Sequence, residues 1–137
     1  STLCDTLAKS KIKSFKAANC YLGPEPVSML ASTLSKAGVA VVDISGNALI
    51  GLSWTQGYVV GTEDHAGWDA ICEVLPKSAV KVFKVSSSQL NSKAITKLAS
   101  TLATAGVEAV DLSNNRFDPS LLDSIKHKVK LNLTGCA

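Results

Sequence analysis

Apolar residues along this chain follow two different spacings. In short runs every second residue is apolar, as in Val42 and Ile44 or Val110 and Leu112, and this spacing indicates short β-strands. Elsewhere apolar residues recur four positions apart, which is the spacing of one face of an α-helix. The helical pairs are Leu3/Leu7, Leu30/Leu34, Ile71/Leu75 and Leu98/Leu102. The chain is therefore predicted to alternate between short strands and helices.

The alternation repeats at a fixed interval. Segment 98–115 recurs with changes at 30–47, and each contains the run Leu-Ala-Ser-Thr-Leu. The apolar residues that open the strands lie at positions 12, 39, 80 and 107, so the successive spacings are 27, 41 and 27 residues. The unit is thus 27 residues long, and one copy carries 14 more. One unit cannot bury both its strand face and its helix face alone, so the units are expected to stack.

The positions within each unit resemble the leucine-rich repeat, L-x-x-L-x-L-x-x-N/C-x-L. Copy two has Val39, Val42, Ile44, Asn47 and Leu49 at these positions. The other copies have Ile12, Phe15, Ala17, Cys20 and Leu22; Val80, Phe83, Val85, Ser88 and Leu90; Val107, Val110, Leu112, Asn115 and Phe117; and, in a shortened fifth copy, Leu131, Leu133 and Cys136. Unit length and the helical half resemble the ribonuclease-inhibitor-like subclass.

The resemblance implies an α/β solenoid of about four and a half repeats, with short parallel strands on a concave face and helices on a convex face. Residues 1–137 would form one leucine-rich repeat domain with an insertion at about residues 50–66. Ser88 departs from the Asn/Cys position and is expected to weaken the internal ladder there. Lys128 stands where the fifth copy should open with an apolar residue. Asp118-Pro119 predicts an N-cap and a first helical position, and Asn91 or Ser92 can cap the preceding helix.

The repeat also explains the four cysteines. Cys4 and Cys72 align with small residues beside the first helix leucine, whereas Cys20 and Cys136 align with Asn47 and Asn115. All four are predicted to be buried free thiols rather than disulfides or zinc ligands, since no C-x-x-C or H-x-x-x-H spacing exists. Free buried thiols indicate a reducing compartment.

The concave face is predicted to carry one row of outward side chains. The row is Lys16, Asp43, Lys84, Asp111 and Asn132. Adjacent parallel strands lie ~4.8 Å apart, so each lysine is expected to meet an aspartate, and the alternating charges cancel. Small residues flank this row, so the face either accepts a helix or backbone of a partner at close range or is simply solvated.

The segment between Leu49 and Ile71, which contains the insertion, holds the chain's two tryptophans, Trp54 and Trp68. Residues 52–60 have a Gly-centred turn between apolar arms, which predicts a hairpin. Aromatic residues dominate interface hot spots. The predicted protein-binding surface therefore consists of Trp54 and Tyr58 together with the row residues Asp43, Lys84, Asp111 and Lys16. The alternative is that the tryptophans pack the insertion onto the core, and Trp68, at the start of a helix, is assigned to the core.

Searches for catalytic motifs find no P-loop, G-x-G-x-x-G or G-x-S-x-G. A dense polar group is formed by His65 with Glu63, Asp64, Asp69 and Glu73. It is interpreted as a solvated loop rather than a metal or acid–base site. We therefore predict no catalytic residues, no cofactor and no metal. A basic group of Lys126, His127, Lys128 and Lys130 could touch an acidic partner or lipid headgroups, but such a group is most often a solvated helix end.

The composition narrows the function class. A net charge of +3 is too small to argue for nucleic acid, and no run of 18 apolar residues exists to span a membrane. The chain begins with Ser rather than Met, which is compatible with a fragment or with a removed targeting peptide. Helical pattern from residue 3 leaves no polar cap, which favours an accessory subunit whose ends are covered by neighbours.

We therefore expect a noncatalytic protein-binding scaffold, in the cytoplasm or inside an organelle, within a larger assembly. The alternative is an enzyme or enzyme-inhibitor module that uses the insertion.

Overall fold

The computed structural model of the chain describes residues 14–19, 22–34, 36, 38–55 and 57–136, with the side chains at 24, 54 and 55 left out. The predictions made for Leu3, Cys4, Leu7, Ile12 and Cys20 lie outside these residues.

Five of the strands form a parallel sheet in the order β1-β2-β5-β6-β7. These strands are β1 (Ser14–Lys16), β2 (Val41–Asp43), β5 (Val82–Lys84), β6 (Ala109–Asp111) and β7 (Lys130–Asn132). A separate antiparallel pair is made by β3 (Leu52–Thr55) and β4 (Tyr58–Gly61). The predicted mixed α/β class with short parallel strands is confirmed, and so is the hairpin in the insertion.

Within the residues that the structure describes, three α-helices alternate with the strands of the parallel sheet: α1 (Pro24–Leu34), α2 (Ala66–Val74) and α3 (Ser92–Leu102). Asn91 caps α3, because its side chain accepts a hydrogen bond from the Ala94 N–H at 3.1 Å. The predicted cap at Asp118 also forms, with the Ser120 N–H at 3.0 Å. It opens only a four-residue 3₁₀ helix, Pro119–Leu122, after which the chain continues in turns towards β7.

The core lies between one face of the sheet and the helices. The central residue of each of the first four sheet strands is buried, whereas its two strand neighbours are exposed or half-buried. Trp68 of α2 is fully buried and stacks on Phe83 of β5, with ring centroids 6.0 Å apart. Its assignment to the core is therefore confirmed.

Two asparagines satisfy the backbone at the turns that follow β2 and β6. The Asn115 side chain accepts from the N–H groups of Ser88 and Leu90 and donates to the carbonyl oxygens of Val85 and Leu112, each at 2.9–3.0 Å. Asn47 makes matching bonds, accepting from Leu22 and donating to Ala17 and Ile44. Because buried backbone groups need partners, these amides join one strand turn to the next.

Ser88 and Cys136 stand where the turns after β2 and β6 have asparagine, and each makes its own hydrogen bond to the backbone. Ser88 is buried, but its hydroxyl donates only to the Ser86 carbonyl, so the side chain completes its own turn. The Cys136 thiol is buried and donates to the Leu112 carbonyl at 3.0 Å. It thus replaces one of the amide bonds that asparagine would make.

Lys128 stands at a position where an apolar core residue was expected, and it caps the C-terminus of α3 instead. Its ammonium donates to the carbonyl oxygens of Leu102 and Ala103, at 3.2 and 2.6 Å, where α3 ends. A cation is stabilised there because the C-terminus of a helix carries partial negative charge. The next residue, Val129, is buried and takes the core position.

Candidate functional site

The predicted row of charged side chains lies in register across the sheet. Lys16 pairs with Asp43, Asp43 with Lys84, and Lys84 with Asp111, and Asn132 ends the row, which we call the strand row. The row lies on the face away from the buried strand centres, because side chains alternate between the two faces of a strand.

The ion pairs expected within the strand row do not form. Among the described residues, no lysine–aspartate pair of this row has its nitrogen and oxygen within 4.0 Å. Instead, Asp43 accepts a hydrogen bond from the Ser45 N–H at 3.1 Å, and Asp111 accepts from both the N–H and the hydroxyl of Ser113. Short carboxylates close their own turns readily, and that bond draws them away from the lysines.

An open depression lies on this face at the β5–β7 end of the sheet. Its volume is about 320 Å³. The residues around it are Val82, Lys84, Ala109, Val110, Asp111, Lys130, Leu131 and Asn132. The small side chain of Ala109 between longer neighbours accounts for the hollow.

The hairpin, residues 52–61, joins the rest of the molecule through a narrow neck. Gly51 and Gly61 have φ values of +82° and +108°. A Cβ at either position would collide with a backbone carbonyl oxygen, that of Thr62 or of Gly51. The Asp64 N–H donates to the Ile50 carbonyl at 2.8 Å and closes the neck.

The tip of the hairpin exposes apolar side chains. Tyr58 is 58% exposed and Val59 is 46% exposed. Met29, at 37%, is the other large apolar residue that is exposed in the described part of the chain. Trp54 pairs with Val59 across the hairpin backbone, and Thr55 pairs with Tyr58. Large apolar groups concentrated at one tip suit contact with a partner.

His65 was interpreted as part of a solvated loop, and that interpretation is wrong. The ring is only 9% exposed, and its Nε2 lies 2.8 Å from a Glu63 carboxylate oxygen. Asn91 donates to the other Glu63 oxygen at 3.2 Å, so the segment after the hairpin is tied to the cap of α3. The hydrogen bond from His65, and then that from Asn91, lower the pKa of Glu63 against its desolvation.

This polar group has little capacity to hold a metal. Nδ1 of His65 is buried without a hydrogen-bond partner, but no third ligand accompanies it. Across the part of the chain that the structure describes, no three His, Cys, Asp or Glu side chains come together as a metal site. The contacts that do form hold the hairpin in place.

A second surface feature, which we call the edge groove, lies where the hairpin meets the turns after the strands. The groove has a volume of about 280 Å³. Its lining residues are Val59, Gln89, Asn114, Arg116 and Gly135. Gln89, Asn114 and Gly135 all have positive φ, so the turns themselves shape the wall.

The residues predicted as one binding surface belong to two parts of the fold, the parallel sheet and the hairpin. Asp43, Lys84, Asp111 and Lys16 lie along the strand row, whereas Val59 beside Tyr58 reaches the turns after β5, β6 and β7. Sequence reasoning missed Arg116 and the edge groove. The one feature of the sequence that could have indicated Arg116 is that it is the only arginine of the chain.

Two lysines of the predicted basic group near the C-terminus make internal contacts. Lys126 lies 3.3 Å from Asp123, and Lys128 caps α3. None of the described helices combines the length and apolarity that crossing a bilayer requires. Cys72 and Cys136 are both buried and unpaired, and burial raises the pKa of each thiol.

Comparisons with known proteins add no family. No protein-family model matches the chain, and no curated protein matches it.

Proposed function

We propose that this protein is a noncatalytic protein-binding scaffold and an accessory subunit of a larger assembly. The observation that carries the proposal is a parallel sheet with one buried face and one face of exposed and half-buried side chains. Parallel sheets are nearly always covered on both faces, so a second face left open is suited to a partner.

The fold proposed for this function is a leucine-rich repeat solenoid of the ribonuclease-inhibitor-like subclass. It is supported by the 27-residue spacing and by the matching bonds of Asn47 and Asn115. A further support is a column of left-handed turn residues, one after each sheet strand: Asn19, Gly46, Ser87, Asn114 and Gly135. Stacked repeats make extended binding surfaces rather than closed pockets.

The hairpin supplies what the sheet face lacks. The face carries small residues and charges, whereas Tyr58 and Val59 offer exposed apolar area. Aromatic anchors provide most of the binding energy at protein interfaces, while surrounding charges set orientation. We therefore assign Trp54 and Tyr58 to the contact, with the strand row as its polar border.

A reducing intracellular location belongs to the same proposal. It is supported by Cys72 and Cys136, which are buried and unpaired. Thiol titration of the denatured, unreduced protein is expected to find four reactive cysteines. Two blocked thiols that reappear after reduction would contradict this location.

The function is tested by native mass spectrometry of the protein isolated from its source, followed by hydrogen exchange of the complex against the free chain. We expect a complex of several chains with fixed stoichiometry, and slower exchange in residues 52–61 and in the strands of the parallel sheet. A monomer would contradict the subunit proposal. Slower exchange confined to α1, α2 and α3 would place the partner on the helical side.

A further inference from the structure

The edge groove is walled by polar side chains that have no hydrogen-bond partner among the residues that the structure describes. The groove residues Gln89, Asn114 and Arg116 make no side-chain hydrogen bond to any other described residue. Nearby asparagines behave differently, since Asn91 caps α3 and Asn115 is fully bonded. Amide and guanidinium donors that line one groove without such a bond are suited to an external acceptor.

The positive charge of Arg116 in the groove favours a negatively charged acceptor. Arg116 is exposed, and within the described ranges no carboxylate lies within 4.0 Å of it. The carboxylates closest to it along the chain are already bonded, Asp111 to Ser113 and Asp118 to Ser120. Glu63, at the base of the hairpin, is bonded to His65. A planar guanidinium that no described carboxylate occupies matches the geometry of an incoming carboxylate.

The apolar side chain of Val59 in the groove favours a peptide over a free anion. Val59 brings an exposed apolar side chain to the same groove, and Tyr58 stands beside it. The volume of about 280 Å³ is below the range of roughly 300–1,000 Å³ typical of small-molecule pockets, and suits one or two side chains.

We propose that the edge groove binds an aspartate or glutamate side chain of a partner's extended segment, with Arg116 on the carboxylate and Val59 on an apolar neighbour. This inference rests on the proposed protein-binding function and adds the chemistry of the partner. Arg116 would set which sequences bind, while the hairpin would supply the apolar contact.

The test uses the full chain and a positional-scanning library of short peptides, acetylated and amidated at their ends so that only side chains carry charge. We expect Asp and Glu to be enriched at one position with an apolar residue beside it. Arg116→Gln should abolish the acidic preference and weaken the best peptide about tenfold. Arg116→Lys should retain part of it, because lysine keeps the charge but not the fork.

Two matched variants separate the roles of the walls. Lys77→Gln removes one charge from an exposed position outside the groove and should leave the preference unchanged. Val59→Ser should remove the apolar preference and keep the acidic one.

Three results would overturn the inference: no acidic enrichment with the wild-type chain, the same enrichment in Arg116→Gln, or binding that requires a free peptide C-terminus. A stable complex in native mass spectrometry would leave the protein-binding function standing in each case. A monomer there would remove that function instead.

Discussion

The indole N–H of Trp68 donates a 2.9 Å hydrogen bond to the carbonyl oxygen of Ala94, which joins the start of α2 to the first turn of α3. The same ring stacks on Phe83, so one buried side chain joins two helices to the sheet. Trp68→Phe keeps an aromatic ring but loses volume and the donor. We expect the free energy of unfolding to fall by about 1–3 kcal/mol in urea denaturation.

Tyr58→Phe is the control for this substitution, because Tyr58 is an exposed aromatic residue. Its effect on stability should stay within about 0.5 kcal/mol. Equal stability of wild type and Trp68→Phe would show that the hydrogen bond and the lost volume contribute nothing.

Asn115 is expected to be among the most sensitive polar positions. Asn115→Ala leaves the N–H groups of Ser88 and Leu90 and the Val85 carbonyl without their partner. Unsatisfied buried groups are costly, so we expect a loss of about 2–4 kcal/mol in urea denaturation. The neighbouring Asn114→Gly is the control, since Asn114 is exposed and its φ of +59° suits glycine. A similar loss in both variants would contradict a specific role for the buried amide.

The buried Cys72 thiol is expected to lower the free energy of unfolding at alkaline pH. Burial raises its pKa in the folded state, so the folded protein keeps the thiol proton where the unfolded chain releases it. Stability is therefore unaffected below the usual thiol pKa of about 8.5 and falls as pH rises above it. Wild type should lose stability faster than Cys72→Ala between about pH 8.5 and 10.5, measured by urea denaturation at each pH. Parallel curves for the two proteins would refute this dependence.

Leu112 follows β6 and is completely buried. Leu112→Ala should cost about 2–5 kcal/mol through lost burial and a cavity. In a stacked arrangement the loss spreads to neighbours first, so hydrogen exchange should accelerate in β5 and β7 before β1. Acceleration that is equal in all five strands would argue against a stack of semi-independent units.

Trp54→Ala and Tyr58→Ala test the hairpin as a binding element. Each should weaken the partner complex by about 2 kcal/mol or more if the residue is a hot spot, without unfolding the domain. Met29→Ala on α1 removes a comparable exposed apolar side chain and should not affect binding. Binding is measured by titration calorimetry and folding by circular dichroism. Unfolding of Trp54→Ala, with normal binding by the remaining folded fraction, would make the residue part of the packing.

Much of the fold could be predicted from the sequence, because short apolar alternations and a fixed interval specify register. The alignment of Lys16, Asp43, Lys84, Asp111 and Asn132 was predicted, and the paired strands have that register. The hairpin was also predicted, from a glycine between two apolar arms. In the structure that residue, Gly57, lies in the turn and adopts a φ of +88°.

Features that depend on competing contacts could not be predicted. The row pattern indicated lysine–aspartate pairs, but Asp111 bonds to Ser113 at shorter range. His65 appeared in a polar run, yet it is buried through a bond to Glu63. The edge groove escaped detection because Val59 and Arg116 are far apart in sequence and meet only when the hairpin folds against the turns.

The glycine neck of the hairpin has a consequence for how this chain can change over generations. Gly51 and Gly61 let the two arms cross closely, and the bond from Asp64 to Ile50 closes the base behind them. Residues beyond that point can therefore be exchanged, lengthened or shortened while the parallel sheet keeps its spacing. The hairpin is in this sense a graft site, at which a new surface can arise without rebuilding the parallel sheet behind it.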